Sequence, residues 1–222
     1  MIRALFIAPQ HRKQAGRVVA IEGTMEKRRA LRSAARRKHL LETARMLFVE
    51  KGFHQTGMAQ IANASGIAVG QIYRDFANKE AIIAALCEAD LAGWLEEDKL
   101  QEAVAAGDSQ AIRDWIKRIA TEEPSKEDRR IMCDLLGEVG RNPIISDINH
   151  RADTRLRASL QAALHSLAPG ASDDQRATLL DFIMSISWGM VAGMELFPHR
   201  DHERLREYVA HLLGREMAAL GA

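Results

Sequence analysis

The sequence predicts an all-α protein, an N-terminal three-helix head carrying a helix-turn-helix followed by a C-terminal helical bundle, about nine helices in all. Three observations carry this. Apolar residues recur at three- and four-residue steps from Leu40 through Leu213, the period of a helix with one buried face. Helix-starting residues (Asp108, Ser125, Asn142, Ser172 and Asp201) stand just ahead of those patterns. No alternating apolar and polar run with hairpin turns competes with them.

A chain of 222 residues with 47% hydrophobic content is long enough to bury a sizeable core. Its net charge is only +1, from 31 Lys and Arg against 30 Asp and Glu, so any preference for a charged partner must come from where the charges sit. They are segregated. Lys27 to Lys38 is strongly basic, whereas Glu88, Asp90, Glu96, Glu97, Asp98 and Glu102 make the following junction acidic, an asymmetry that suits a nucleic-acid-binding head on a neutral body. Cys87 and Cys133 are too far apart in sequence to form a metal knuckle or a disulfide framework, which points to a reducing cytoplasm. The apolar run from Phe182 to Phe197 falls short of the ~20 residues of a membrane span and contains Glu195; no membrane partner is expected. Phosphate loops, nucleophile elbows and zinc-protease motifs are absent and the histidines are scattered, so neither an enzyme, a cofactor nor a metal site is predicted.

In chain order, residues 1–25 have no sustained period and are expected to form a disordered extension ahead of Met25. A basic amphipathic helix follows, convincing at Leu40, Leu41, Ala44, Leu47 and Phe48, and stopped by Gly52. The helix-turn-helix occupies about residues 57–76: Gly57 as N-cap with Gln60 three residues on, Met58, Ile61 and Ala62 on one face, Gly66 in the turn, and Ile72 and Phe76 restarting the period. The second helix keeps Val69, Gly70, Gln71 and Arg74 off its apolar stripe, free to enter a DNA major groove. There the Gln71 amide can pair with adenine, the Arg74 guanidinium with guanine or phosphate, and Val69 can touch a thymine methyl. Lys79, in the first turn of the next helix, can meet a phosphate or serve as an ordinary surface lysine. Asp75 is expected to pair with Arg74 or a basic arm residue. The fourth helix then runs from Lys79 through Leu95 into the acidic patch.

These residues carry a family resemblance. Gly52-Phe53, Thr56, Ile61-Ala62, Gly66-Ile67, Tyr73-Arg74-Asp75-Phe76 and Lys79-Glu80 stand at offsets that resemble the TetR (tetracycline repressor) family of bacterial transcriptional regulators. The resemblance covers the N-terminal third, with a head at about 34–96 and a ligand-sensing and dimerisation body at 97–222. It implies a cytoplasmic, nucleoid-associated homodimer on a double-stranded, pseudo-palindromic DNA operator, released by a small, largely apolar effector. It also implies DNA contacts from Arg36, Arg37, Lys38, Thr56 and the Tyr73 hydroxyl. Where the family commonly places Ser or Thr caps, this chain has Gly57 and Ala68, which removes two possible phosphate contacts.

In the body, Trp94, Trp115, Met132, Leu136, Met184 and Trp188 are either plain core or, as the resemblance implies, the lining of an effector cavity. Glu138 and Glu195, inside otherwise apolar stretches, either favour a cationic lipophilic ligand or are satisfied or exposed carboxylates. Ser185, Gly189 and Gly193 fall four apart and form a small-residue ridge flanked by Phe182 and Ile186. With Leu205, Tyr208 and Leu212 of the last helix, this ridge is either monomer core or the seam of the dimer the resemblance implies. Two rival readings remain: an architectural DNA-binding protein without effector, and an all-helical enzyme or interaction module whose helix-turn-helix is structural.

Overall fold

The computed structural model describes the backbone of residues 10–221 and side chains from Lys27 onward. No strand occurs among the described residues. The head comprises α1 (Gln10–Lys51), α2 (Met58–Ser65), α3 (Val69–Asp75) and most of α4 (Lys79–Leu95). The body comprises α5 (Glu97–Ala106), α6 (Ser109–Thr121), α7 (Lys126–Val139), α8 (Pro143–Leu167), α9 (Asp173–Leu196) and α10 (His202–Leu220).

The punctuation read from sequence operates as hydrogen bonds. Asp108 accepts from the amides of Gln110 and Ala111, Ser125 from Asp128, Asn142 from Ile144 and Ile145, Ser172 from Gln175, and Asp201 from Arg204. Each side chain satisfies amides that the first turn leaves without a partner. Pro143 follows Asn142 at the first helical position, where its missing N–H costs nothing.

Two differences from the sequence pattern bear on function. Helix α1 is continuous from Gln10, so the latter part of the 1–25 segment, read as a disordered extension, is helical backbone; residues 1–9 lie outside the described residues. The segment expected to be one fourth helix is split in two. Glu96 stands in the left-handed region at φ 49°, ends α4 and starts α5. The turn is secured through the carbonyl of Leu95, which accepts from Trp115 Nε1 at 2.7 Å and from Arg118 at 3.2 Å. A glutamate in that conformation gives no sequence signal, since glycine or asparagine is the usual occupant.

The interior falls into two clusters. One gathers Leu40, Ala44, Phe48, Ile61, Ile72, Phe76, Ile82 and Ile83 of the head. It is closed not by the head alone but by Ile131 of α7 and Ile145 and Ile148 of α8. The other joins Leu95, Leu100, Trp115, Ile116, Leu160, Ile183, Met184 and Leu213. Polar ties reinforce the junction: Arg45 of α1 bridges Asp90 of α4 and Asp128 of α7, and the Phe53 amide donates to the Asp134 carboxylate. Helix α9 is long and apolar enough by length and composition to cross a membrane. Its inner face nevertheless supplies Leu180, Ile183, Met184 and Met194 to the body core.

Candidate nucleic-acid interface

Helices α2 and α3 are held at their angle by Gly66, whose φ of +66° lets the chain reverse where a side chain would be strained. Ile61 and Ala62 on α2 and Ile72 on α3 face inward. The outward face of α3 therefore presents Val69, Gly70, Tyr73 and Arg74, all exposed, with Tyr73 52% accessible. Gln71 is half-buried at the edge of that face. Gly57 begins α2 with Gln60 Oε1 accepting its amide at 2.8 Å, and Ala68 begins α3 with no side-chain cap, as the sequence implies. The short α3 thus shows solvent one aromatic hydroxyl, one guanidinium, one methyl-bearing side chain and a bare backbone position, a set able to read base edges and phosphates.

Helix α1 fixes the far end of α3. Arg36 donates to Asp75 at 3.3 Å through two of its nitrogens, which answers the partner expected for Asp75, while Arg74 instead leans on the Gly70 carbonyl. Arg37 stacks over the Phe76 ring with its guanidinium carbon 4.2 Å from the centroid, a cation–π contact. His39 Nε2 lies 3.1 Å from the Ser65 carbonyl at the end of α2. Of the three basic arm residues predicted to meet DNA, Lys38 and Arg37 are exposed and Arg36 is half-buried in its ion pair.

Two predicted DNA contacts have other partners. Thr56 is 1% exposed, and its hydroxyl donates to the carbonyls of Gly52 at 2.8 Å and Leu47 at 3.2 Å. It closes the C-terminal end of α1, and burial takes it off the DNA-facing surface, which corrects its expected role. Lys79 Nζ donates to the carbonyls of Phe53 at 2.8 Å and His54 at 3.2 Å and sits 4.4 Å from the Phe53 ring centroid. Its ammonium braces the α1–α2 loop, and a phosphate would have to compete with those carbonyls.

Of the residues expected to line an effector cavity, three share the body core. Trp115 and Met184 are core, Trp94 packs at the rim of that core, Met132 and Trp188 are half-buried, and Leu136 is 41% exposed. Leu136 lies on the outer side of α7, so its assignment to an internal pocket is corrected. Two clefts of about 580 and 390 Å³ lie elsewhere, along the head–body junction. The first is lined by His54, Glu138, Arg141, Asn142 and Pro143. The second is lined by Phe48, Lys51, Arg130, Cys133, Asp134 and Glu195 among others. Glu138 and Glu195 thus each border one of these clefts, beside His54 and Arg129 respectively. Among the described residues no cluster of His, Cys, Asp and Glu is arranged to hold a metal.

The small-residue ridge of α9 is on the surface. A Cβ built at Gly189 or Gly193 meets nothing within 4 Å, Ser185 is exposed, and Ile186 is half-buried. Around it Phe182, Leu196, Phe197, Leu205 and Tyr208 are exposed, Tyr208 at 64%, with Leu212 half-buried beside them. Helices α9 and α10, which pack on each other, therefore both leave apolar side chains on the outside.

The head matches the family described as bacterial regulatory proteins, tetR family, over residues 40–86. One similar protein is the HTH-type transcriptional repressor KstR2 of Rhodococcus jostii, 38% identical over 81 residues, or 35% of this chain and 38% of that protein. Another is the HTH-type transcriptional regulator UidR of Escherichia coli, 23% identical over 72% of this chain and 81% of that protein. The chain spans only 38% to 52% of the length of the first three curated relatives it matches. Among solved structures, Salmonella enterica GusR has the same fold, with a TM-score of 0.60 at 21% identity, over 83% of this chain and 96% of that one.

Proposed function

We propose that the chain, whose residues 40–86 match the tetR family of bacterial regulatory proteins, is a DNA-binding transcriptional regulator of that kind. It acts as a cytoplasmic homodimer on a pseudo-palindromic operator, in the sense of a repressor, and a small-molecule effector releases it. One observation carries the DNA reading: the outward face of α3 exposes Val69, Gly70, Tyr73 and Arg74 while Ile72 anchors it and Arg36 and Arg37 pin its end. A rigidly mounted short helix with a polar outer face is what major-groove reading requires.

Dimerisation is supported by the exposed apolar face of α9 and α10, and by the arithmetic of recognition. One short helix reads only a few base pairs, so two copies related by a two-fold axis are needed to select a site in a genome. A second α9 laid along Ser185, Gly189 and Gly193 can approach closely because no side chain stands between the backbones. The Tyr73 hydroxyl and Lys38 supply phosphate contacts beside the base contacts of Gln71 and Arg74. Effector binding would act by changing the separation of the two heads through α4 and through the α1–α7 junction, where Arg45, Asp90 and Asp128 meet.

The experiment is selection from a pool of genomic fragments with the purified chain, followed by competition with candidate small molecules. A regulator enriches a defined two-fold site and loses affinity for it in the presence of an effector. An architectural protein would show little sequence preference and no effector response, and an all-helical module with a structural helix-turn-helix would retain no DNA.

A further inference from the structure

Helix α7 holds the head at two points. Near its start Asp128 receives Arg45 of α1 at 2.5 Å, and the same guanidinium reaches Asp90 of α4. Further along α7 the Asp134 carboxylate accepts the amide of Phe53, in the loop that leads from α1 into α2. That amide lies where Gly52, at φ +83°, turns the chain off the end of α1; a Cβ on Gly52 would come within 3.4 Å of the same carboxylate. Between the two carboxylates, Ile131 is buried in the head cluster. Arg45 and Phe53 stand eight residues apart, about 12 Å at the helical rise. A single contact fixes a distance, whereas two charge-assisted contacts that far apart, with an apolar contact between them, also fix an angle.

The loop cannot yield independently of the head. Lys79 holds the carbonyls of Phe53 and His54, Thr56 holds that of Gly52, and α2 begins at Met58. Among the described residues, Asp134 is the only body side chain hydrogen-bonded to the backbone of α1, α2, α3 or the loops between them. We infer that Asp134 and the Arg45–Asp128 pair are specificity-determining residues: they set the angle of each head on its body, and so the half-site spacing that the dimer accepts. They do so without touching DNA, while α3 selects the bases. One inserted base pair moves the half-sites apart by about 3.4 Å and turns them by about 35°, a change that two clamped heads cannot follow and two loosened heads can. This role presupposes the homodimeric, DNA-binding reading of the chain and adds to it the residues that select the spacing.

The test uses the full chain and the operator it selects, in duplexes that keep both half-sites and change only the number of base pairs between them. The wild type is expected to lose about tenfold or more in affinity when one base pair is inserted, because the two heads can no longer engage together. In the double variant Asp134→Ala with Arg45→Gln that penalty should fall to about threefold or less. Asp134→Asn keeps an acceptor oxygen for the Phe53 amide and should retain the wild-type penalty. In every variant the cost of a base substitution inside a half-site should be unchanged and sedimentation should show dimers, which separates a role in head orientation from a general loss of folding. Should Asp134→Ala fail to fold, Arg45→Gln alone carries the test, since the Asp90 and Asp128 that it releases are already open to solvent; its penalty should lie between those of the wild type and the double variant. An unchanged spacing penalty in the double variant, or in Arg45→Gln where that variant stands alone, would overturn the inference and leave operator selection by α3 standing. Loss of base discrimination in step with the spacing penalty would place the effect on α3 itself, and a wild type indifferent to spacing would leave nothing for the clamp to select; either result also overturns it. If the wild type enriches no two-fold site, the functional reading itself fails and this role fails with it.

Discussion

Head and body enclose their cores in opposite ways. In the head, the apolar residues of short helices are consumed in one cluster, down to Ile61, Ile72, Ile82 and Ile83 at 0% exposure, and what remains outside α3 is largely polar. In the body, long helices bury one face and leave another apolar, so Phe182, Leu205 and Tyr208 stand exposed around a ridge of glycines. The difference teaches what each surface is for. A polar outer face on a rigid mount meets a charged, hydrated partner, whereas an apolar outer face on two long helices calls for another apolar face.

The largest expected effects probe whether the two regions are one folding unit. Ile83→Ala in the head cluster and Leu160→Ala in the body cluster should each cost about 2–5 kcal/mol. Because Ile131, Ile145 and Ile148 close the head cluster from the body side, Ile83→Ala should lower the melting temperature of both regions together. Separate transitions, read by hydrogen exchange on head and body amides, would show the clusters to be independent.

Next come the two outer faces. A Cβ at Gly189 meets nothing within 4 Å, so Gly189→Leu is expected to leave the melting behaviour of the monomer in place. Holding paired helices apart should weaken a dimer by about 1–3 kcal/mol. Sedimentation should show dissociation, and operator affinity should fall with it; a fully retained dimer would put the interface elsewhere. On the head, Gln71→Ala should cost about 1–3 kcal/mol mainly on the preferred site, and an equal loss on random DNA would remove it from base reading. Lys79→Ala discriminates two roles. If its ammonium moves to a phosphate, the salt slope flattens by about one; if it stays on the Phe53 and His54 carbonyls, only stability falls.

The smallest comparison is between caps. Asn78 accepts from the Ala81 amide in the head and Asp108 from Gln110 and Ala111 in the body. Substituting either by alanine should cost about 0.5–2 kcal/mol in denaturant titrations. A loss below that range at one site would identify the helix that its neighbours hold without help.

Most of the fold was legible because caps and apolar period act locally. Asp108, Ser125, Asn142, Ser172 and Asp201 each begin a helix as read, and the Gly66 turn is where the pattern restarts. The features that escaped depend on tertiary partners. Glu96 breaks α4 from α5 because Trp115 and Arg118, some twenty residues on, hold the Leu95 carbonyl, which no local signal announces. Thr56 reads as a surface hydroxyl until the end of α1 is seen to cover it. Ile131, Ile145 and Ile148 look like body residues because their helices are, yet they close the head. Leu136 stands next to Leu135 and Val139, which pack on the head cluster with Ile131, but its own side chain is turned out and 41% exposed. The Asp75 partnership was narrowed to basic neighbours by charge alone, and geometry then selected Arg36 over Arg74.

The most direct test of the central claim is the stoichiometry and sequence of the DNA that the purified chain retains from a randomised duplex pool. The account predicts a pseudo-palindrome whose half-sites lie on one face of the duplex, about 10 base pairs or a multiple apart, occupied by two chains for each two-fold site. Enrichment of a single half-site by one chain, or retention of DNA without sequence preference, would contradict it.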